Sequence, residues 1–217
     1  MGVESGSGSA SGSSSGSSSG SGESIICQDS IDLGFVLDGS SSIGPDKFRQ
    51  ILTFVKRLLD NFKILPQNTR VSVIKYSSKS TLEIKFLQMF AFKQELHWAI
   101  DSIDYCGGGT RTGAALRKAR TEMFQKRNGA RSPQDAKKVL IVLTDGRSLD
   151  SIRQPAKRLK KQGVVIYTIG VGSAIFKYEL NTMASLPKKD HVFLMNDFKE
   201  LTSLAEKMSD TLKQCFS

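Results

Sequence analysis

Five oxygen-bearing side chains, Asp38, Ser40, Ser42, Thr110 and Asp145, stand where an apolar run or a glycine-rich loop gives way to polar turn residues. In FVLDGSSSIG (35–44) alternate residues of an extended turn aim the Asp38 carboxylate and the Ser40 and Ser42 hydroxyls at one point. CGGGTRTG (106–113) delivers Thr110 to the start of a helix, and LTDGRS (143–148) releases Asp145 from a strongly apolar run, with Gly146 permitting a sharp turn. Two carboxylates and three hydroxyls, without cysteine or histidine, form a hard-oxygen set suited to Mg²⁺ or Mn²⁺, less so to Ca²⁺, and poorly to zinc. So few charges leave room for water and for a ligand from outside. Each piece alone is ordinary, because Asp-Gly and Ser-Ser are common in turns. Their joint occurrence after three separate elements is what points to a site.

The elements that must position these residues are legible from patterning. IDLGFVL (31–37), VLIVLT (139–144) and VVIYTIGV (164–171) are continuous apolar runs, as expected of parallel strands covered on both faces at a sheet centre. RVSVIKYS (70–77) and TLEIKFL (81–87) alternate instead, and the short connection between them allows only a hairpin, so one of the pair is an antiparallel edge strand. HVFLM (191–195) reads as the last of six strands. Helical spacing links Phe48, Ile51, Leu52, Val55, Leu58 and Leu59 behind Pro45. It recurs in Leu96, Ile100 and Ile103, and again in Ala114, Ala115, Ala119 and Met123. A fourth helix is expected over 151–162 with Gly163 as its stop, and a last one over 198–212. Strands alternating with helices define an α/β class, and in open α/β sheets ligands gather beyond the carboxyl ends of the strands, where all three oxygen-bearing segments fall.

Composition narrows the function. Residues 5–22 are serine and glycine apart from Ala10, have nothing to bury, and read as a flexible tail, natural or an added expression linker; 1–24 is set apart from a folded domain over 25–217. No run approaches the roughly 20 apolar residues of a membrane span. The start has neither a secretory signal nor a myristoylation pattern, so an exported protein would have lost its signal. The chain carries a formal +10, and since Glu4 and Glu23 are the only charges in the tail, the domain itself stands at +12. Such an excess favours acidic partners.

DLGFVLDGSSSIG, GGGTRTGAAL, VLIVLTDGRS and VVIYTIGVG together, in this order over 29–215, resemble the von Willebrand factor type A (VWA) domain, and in particular its extracellular-matrix members of the matrilin and collagen-associated kind. The resemblance implies a doubly wound, mostly parallel six-stranded sheet with one antiparallel edge strand and helices on both faces. It also implies a secreted adhesion module with a metal-ion-dependent adhesion site at Asp38, Ser40, Ser42, Thr110 and Asp145, some binding directly and others through water. An acidic residue of a matrix partner, collagen or another protein, would complete the coordination. Matrix members often close the domain with a disulfide, which matches Cys27 and Cys215; the alternative is three ordinary thiols. Cys106 departs from the pattern: it is either a thiol near the metal face, an intermolecular link, or a semi-buried inert side chain. A tether at Cys215 would restrain the last helix and favour a constitutive binder over a large switch.

Other classes fare worse. A serine hydrolase needs a base, and His97 and His191 lie in segments away from the loops. DGSSS lacks the second aspartate of a haloacid-dehalogenase phosphatase, and GGGTRTG lacks the lysine of a P-loop, so the chain reads as a non-enzyme. Arg111 and Arg147 adjoin Thr110 and Asp145 in sequence and are expected to aim a positive field at the acidic partner. The alternative function is metal-independent binding of sulfated glycans or other polyanions along RQPAKRLKKQG, where Arg153, Lys157, Lys160 and Lys161 share one helix face, although such a run also suits a plain solvated surface. Nucleic acid is not expected, because no aromatic residues interleave with the basic ones.

Overall fold

The computed structural model describes residues 30–214; the tail, Cys27 and Cys215 lie outside the described residues, and with them the expected disulfide. Six strands form one sheet in the order β3-β2-β1-β4-β5-β6. They are β1 (Ile31–Asp38), β2 (Thr69–Tyr76), β3 (Ser80–Ile84), β4 (Lys137–Thr144), β5 (Val164–Val171) and β6 (Val192–Met195). Only β3 runs antiparallel, paired with β2. It stops at Ile84, three residues short of the expected Leu87, because the chain turns there, with Gln88 N–H donating to the Lys85 carbonyl.

The helices are α1 (Gly44–Asp60), α2 (Lys93–Asp101), α3 (Thr112–Lys118), α4 (Arg153–Lys161), α5 (Lys177–Met183), α6 (Lys188–His191) and α7 (Leu201–Gln214). Alternation along each central strand divides them between two layers. Leu33, Phe35 and Leu37 of β1, with Val139, Ile141 and Leu143 of β4, point into the core shared with α1, α2 and α7. Val36, Leu140 and Val142 point into the opposite core with α3, α4 and α5. Both faces are therefore covered, which is why these strands read as unbroken apolar runs. The helix expected around Ala114 to Met123 loosens into a π-helical turn at Ala119–Met123. Ile103 packs just beyond α2, the short α5 and the start of α6 fill a connection that patterning left unassigned, and His191 ends α6, so the last strand begins at Val192 and not at the expected His191.

The sheet changes direction between β1 and β4, whose register sets Leu37 opposite Leu143. Adjacent crossovers leave that point on opposite sides, opening a crevice at the carboxyl ends. The other end of β1 is closed by a buried ion pair that patterning missed. Asp32 is fully buried and accepts from the Arg131 backbone N–H at 2.7 Å and from Arg131 Nε at 2.8 Å. The remaining guanidinium reaches the carbonyls of Ile31 and Asn68. Arg131→Ala would leave Asp32 as an unpaired buried charge, and is expected to lower unfolding stability by about 3 kcal/mol in urea denaturation.

Candidate metal centre

Asp38 ends β1 with its carboxylate out of reach of solvent. Oδ2 accepts from Thr144 Oγ1 at 2.7 Å and from the Tyr76 hydroxyl at 3.2 Å, while Oδ1 accepts from the Ser40 backbone N–H at 2.9 Å. Strand register creates this cradle: Tyr76 is the β2 partner of Asp38, and Thr144 follows the Leu37–Leu143 pair on β4. Ser40 Oγ lies 3.2 Å from Ser42 Oγ, and Ser42 Oγ donates to Asp145 Oδ1 at 2.7 Å. Asp38, Ser40, Ser42 and Asp145 thus form one hydrogen-bonded chain across the crevice, as their spacing suggested.

The glycine loop lies flat against the first loop. Gly107 N–H donates to the Gly39 carbonyl, Gly108 N–H to Ser41 Oγ, and Ser41 N–H back to the Gly108 carbonyl. Gly108 has φ +93°, a left-handed conformation that favours glycine, and a Cβ there would crowd Ser78 Oγ at 2.8 Å. Thr110 is half-buried, and its carbonyl accepts from Leu149 N–H of the Asp145 loop at 2.7 Å. Its backbone therefore ties the glycine loop to the Asp145 loop, while its hydroxyl stands outside the Asp38–Asp145 chain. Asp150 was not singled out by sequence, yet it locks the third loop to α3 by accepting from Gly113 N–H and from Arg117.

The electrostatics are uncompensated. Burial pushes the Asp38 carboxyl above its usual range, against the opposing hydrogen bonds from Ser40 and Thr144, and the like charge of Asp145 pushes the same way. Tyr76, buried beside Asp38, is held well above the ordinary phenol range, first by burial and then by the Asp38 charge. A cation among these oxygens would reverse both Coulombic contributions. Among the described residues no three Asp, Glu, His or Cys side chains converge to hold a metal. A cation here must therefore draw on hydroxyls and water as well as the two carboxylates, which is a donor set of the hard, magnesium-like kind.

Beside Ser42 and Asp145 opens a depression of about 490 Å³, walled by Lys47, Gly172, Asn196 and Asp197. Lys47 was not anticipated; its ammonium lies 5.3 Å from the Phe198 ring centroid. Arg111 is exposed near the glycine loop. Arg147 is drawn towards α5, 5.0 Å over the Phe176 ring and 3.9 Å from Glu179. Cys106 is exposed, not semi-buried, and its thiol donates to the Gly39 carbonyl at 3.3 Å on the rim of the site. Of the basic quartet, Arg153, Lys157 and Lys161 are exposed, but Lys160 is half-buried against two carbonyls. His97 pairs with Asp60, and buried His191 stacks on Tyr167, so both sit apart from the three loops.

Residues 32–207 match the model of the von Willebrand factor type A domain. The chain belongs to that family. It is 40% identical to mouse vitrin over 182 residues, covering 84% of this chain and 27% of vitrin. It is 37% identical to human matrilin-3 over 183 residues, covering 83% of this chain and 37% of matrilin-3. It thus spans about a quarter to two-fifths of the length of these relatives. The structure of proximal thread matrix protein 1 from the mussel byssus, with its MIDAS motif occupied by zinc, superposes with a TM-score of 0.79 at 27% identity. That superposition covers 86% of this chain and 49% of the mussel chain.

The raised Asp38 pKa sets a stability prediction. Because the folded value lies above the unfolded one, Asp38 costs nothing below its ordinary range and its full penalty above the raised value. In chelator at neutral pH, Asp38→Asn, which keeps the shape without the charge, is expected to equal or exceed the parent in thermal midpoint, and that margin is expected to vanish as pH falls towards 4.

Proposed function

We propose that the domain is a secreted adhesion module that binds one divalent cation through Asp38, Ser40, Ser42, Thr110 and Asp145, directly or through water. The observation that carries this reading is the hydrogen-bonded chain from buried Asp38 to Asp145, opening onto a depression large enough for a side chain from another molecule. Two carboxylates balance a divalent charge but fill only part of an octahedral shell, and with neutral hydroxyls and water as the other donors a position is left for an acidic residue of an extracellular-matrix partner, collagen or another protein. Lys47 on the depression wall and exposed Arg111 add positive potential for that residue, whereas Arg147 is shared with Glu179 and contributes less. Near Arg147, exposed Phe176 and Tyr178, the latter in the first turn of α5, supply aromatic contact of the kind that dominates protein interfaces.

Mg²⁺ or Mn²⁺ suits the donor set best and Ca²⁺ less well. The zinc in the mussel protein's MIDAS motif means that zinc, set aside on ligand softness alone, belongs among the ions tested. The site has two carboxylates and three hydroxyls with no histidine base beside them, which supports binding and no catalysis.

Calorimetric titration of the metal-stripped chain with Mg²⁺, Mn²⁺ and Zn²⁺ is expected to show one site. Asp145→Ala, folded by circular dichroism, is expected to weaken it by about tenfold or more, because half the anionic charge is gone. Absence of any heat or thermal shift at millimolar metal would overturn the reading.

A further inference from the structure

A strong excess of positive charge runs from α4 through α6. Between Arg153 and Asp190 there are eight cations and two carboxylates, a net +6 out of the chain's +10. One of those carboxylates, Glu179, is already engaged by Ser148 N–H and Arg147. Elsewhere Lys56, Lys75, Arg117, Lys118 and Arg131 pair with carboxylates, but among the described residues Arg153, Lys157, Arg158, Lys161 and Lys189 have no such partner. The helix α4 contains no acid at all.

Arg153 and Lys157 border the first of two adjoining depressions, and Lys161 is exposed one turn further along α4. One, of about 370 Å³, is lined by Arg153, Gln154, Lys157, Lys160 and Thr182. The other, of about 660 Å³, is lined by Lys160 with Asn181, Ser185, Leu186 and Lys188. Lys160 belongs to both, and its ammonium is fixed by the carbonyls of Thr182 at 3.1 Å and Ala184 at 3.0 Å, leaving one N–H free. Lys188 reaches the same Ala184 carbonyl. Two lysines held on one carbonyl are partly desolvated and repel each other, and the Lys160 pKa is lowered by burial and then by Lys188. An anion placed between them would relieve that repulsion.

We infer that the face of α4 against α5 and α6 is a metal-independent binding site for a sulfated polysaccharide chain, with Arg153, Lys157 and Lys161 contacting successive sulfates along the helix and Lys160 as a fixed cation at the join. Arg153, Lys157 and Lys161 recur at helical spacing and span about 12 Å at 1.5 Å per residue, a line suited to an extended polyanion. Gln154, Asn181, Thr182 and Ser185 offer amides and hydroxyls to sugar hydroxyls, while no aromatic side chain lines either depression, so stacked bases find no platform.

The test is binding of a heparin octasaccharide to the whole chain in chelator at about 150 mM NaCl, where weak surface attraction is largely screened. The triple variant Arg153→Ala/Lys157→Ala/Lys161→Ala alters exposed side chains only, and is compared with Lys63→Ala/Lys199→Ala/Lys207→Ala, which removes equal charge elsewhere. The first is expected to weaken binding roughly tenfold or more and to flatten the salt dependence, with the second nearly unchanged. Equal losses in both triples, no binding at that salt, or equal competition by single-stranded DNA of matched charge would each overturn the assignment. Because metal is absent throughout, failure here leaves the metal-site reading untouched.

Discussion

A carboxylate buried at the end of the first strand governs the architecture of this domain. Burial of Asp38 is unfavourable unless its oxygens are met, and three groups from three different segments meet them: the Ser40 backbone, the Tyr76 hydroxyl and the Thr144 hydroxyl. Those bonds tie β2 and β4 to β1 in one register and hold the first loop in a tight turn over the carboxyl end of the sheet. Even so, hydrogen bonds do not neutralise the charge, and the carboxyl remains harder to ionise than in water. The apex of the sheet therefore holds an unfavourable electrostatic arrangement in the metal-free chain, of the kind that functional sites tolerate and the surrounding core supports.

The support comes from the apolar layers beneath the site. Two apolar cores, one under α1, α2 and α7 and the other under α3, α4 and α5, clamp the central strands from both faces. The Asp32–Arg131 pair seals the opposite end of β1. The three loops are then left to make contacts with one another: Gly107 with Gly39, Gly108 with Ser41, Leu149 with Thr110 and Gly113 with Asp150. Loops carried on so rigid a sheet can hold oxygens at fixed separations without dedicated cross-links, which is the condition for selecting a small hard cation.

The two kinds of recognition proposed for this surface are separated by chemistry as well as position. The crevice at the switch point offers a compact cluster of oxygens whose negative field suits a cation, while the α4 face offers a spread line of unpaired cations. Salt screening acts strongly on the second and weakly on the first, where metal coordination is short-ranged and the oxygens partly buried. The chain spans only part of its relatives' lengths, so both surfaces are read as properties of this domain.

Strand identity, the α/β class and the oxygen-bearing turns were legible because they rest on local patterns: apolar runs for strands buried on both faces, and Asp, Ser, Thr and Gly where turns demand them. Asp38, Ser40, Ser42 and Asp145 were legible for the same reason, since each follows directly on a recognisable strand or turn. Tyr76 and Thr144 were not identified as the hydroxyl cradle, because that role depends on register across strands far apart in sequence, which nothing in the local pattern specifies. Lys47, in the first turn of α1, and Asp150, on the third loop, reach their neighbours only after the sheet is wound. The basic run of α4 was visible in sequence as charge alone. Which of its lysines stays in solvent and which is pinned to carbonyls was decided by the packing of α5 and α6 against it, a contact between helices that hydrophobic periodicity does not encode.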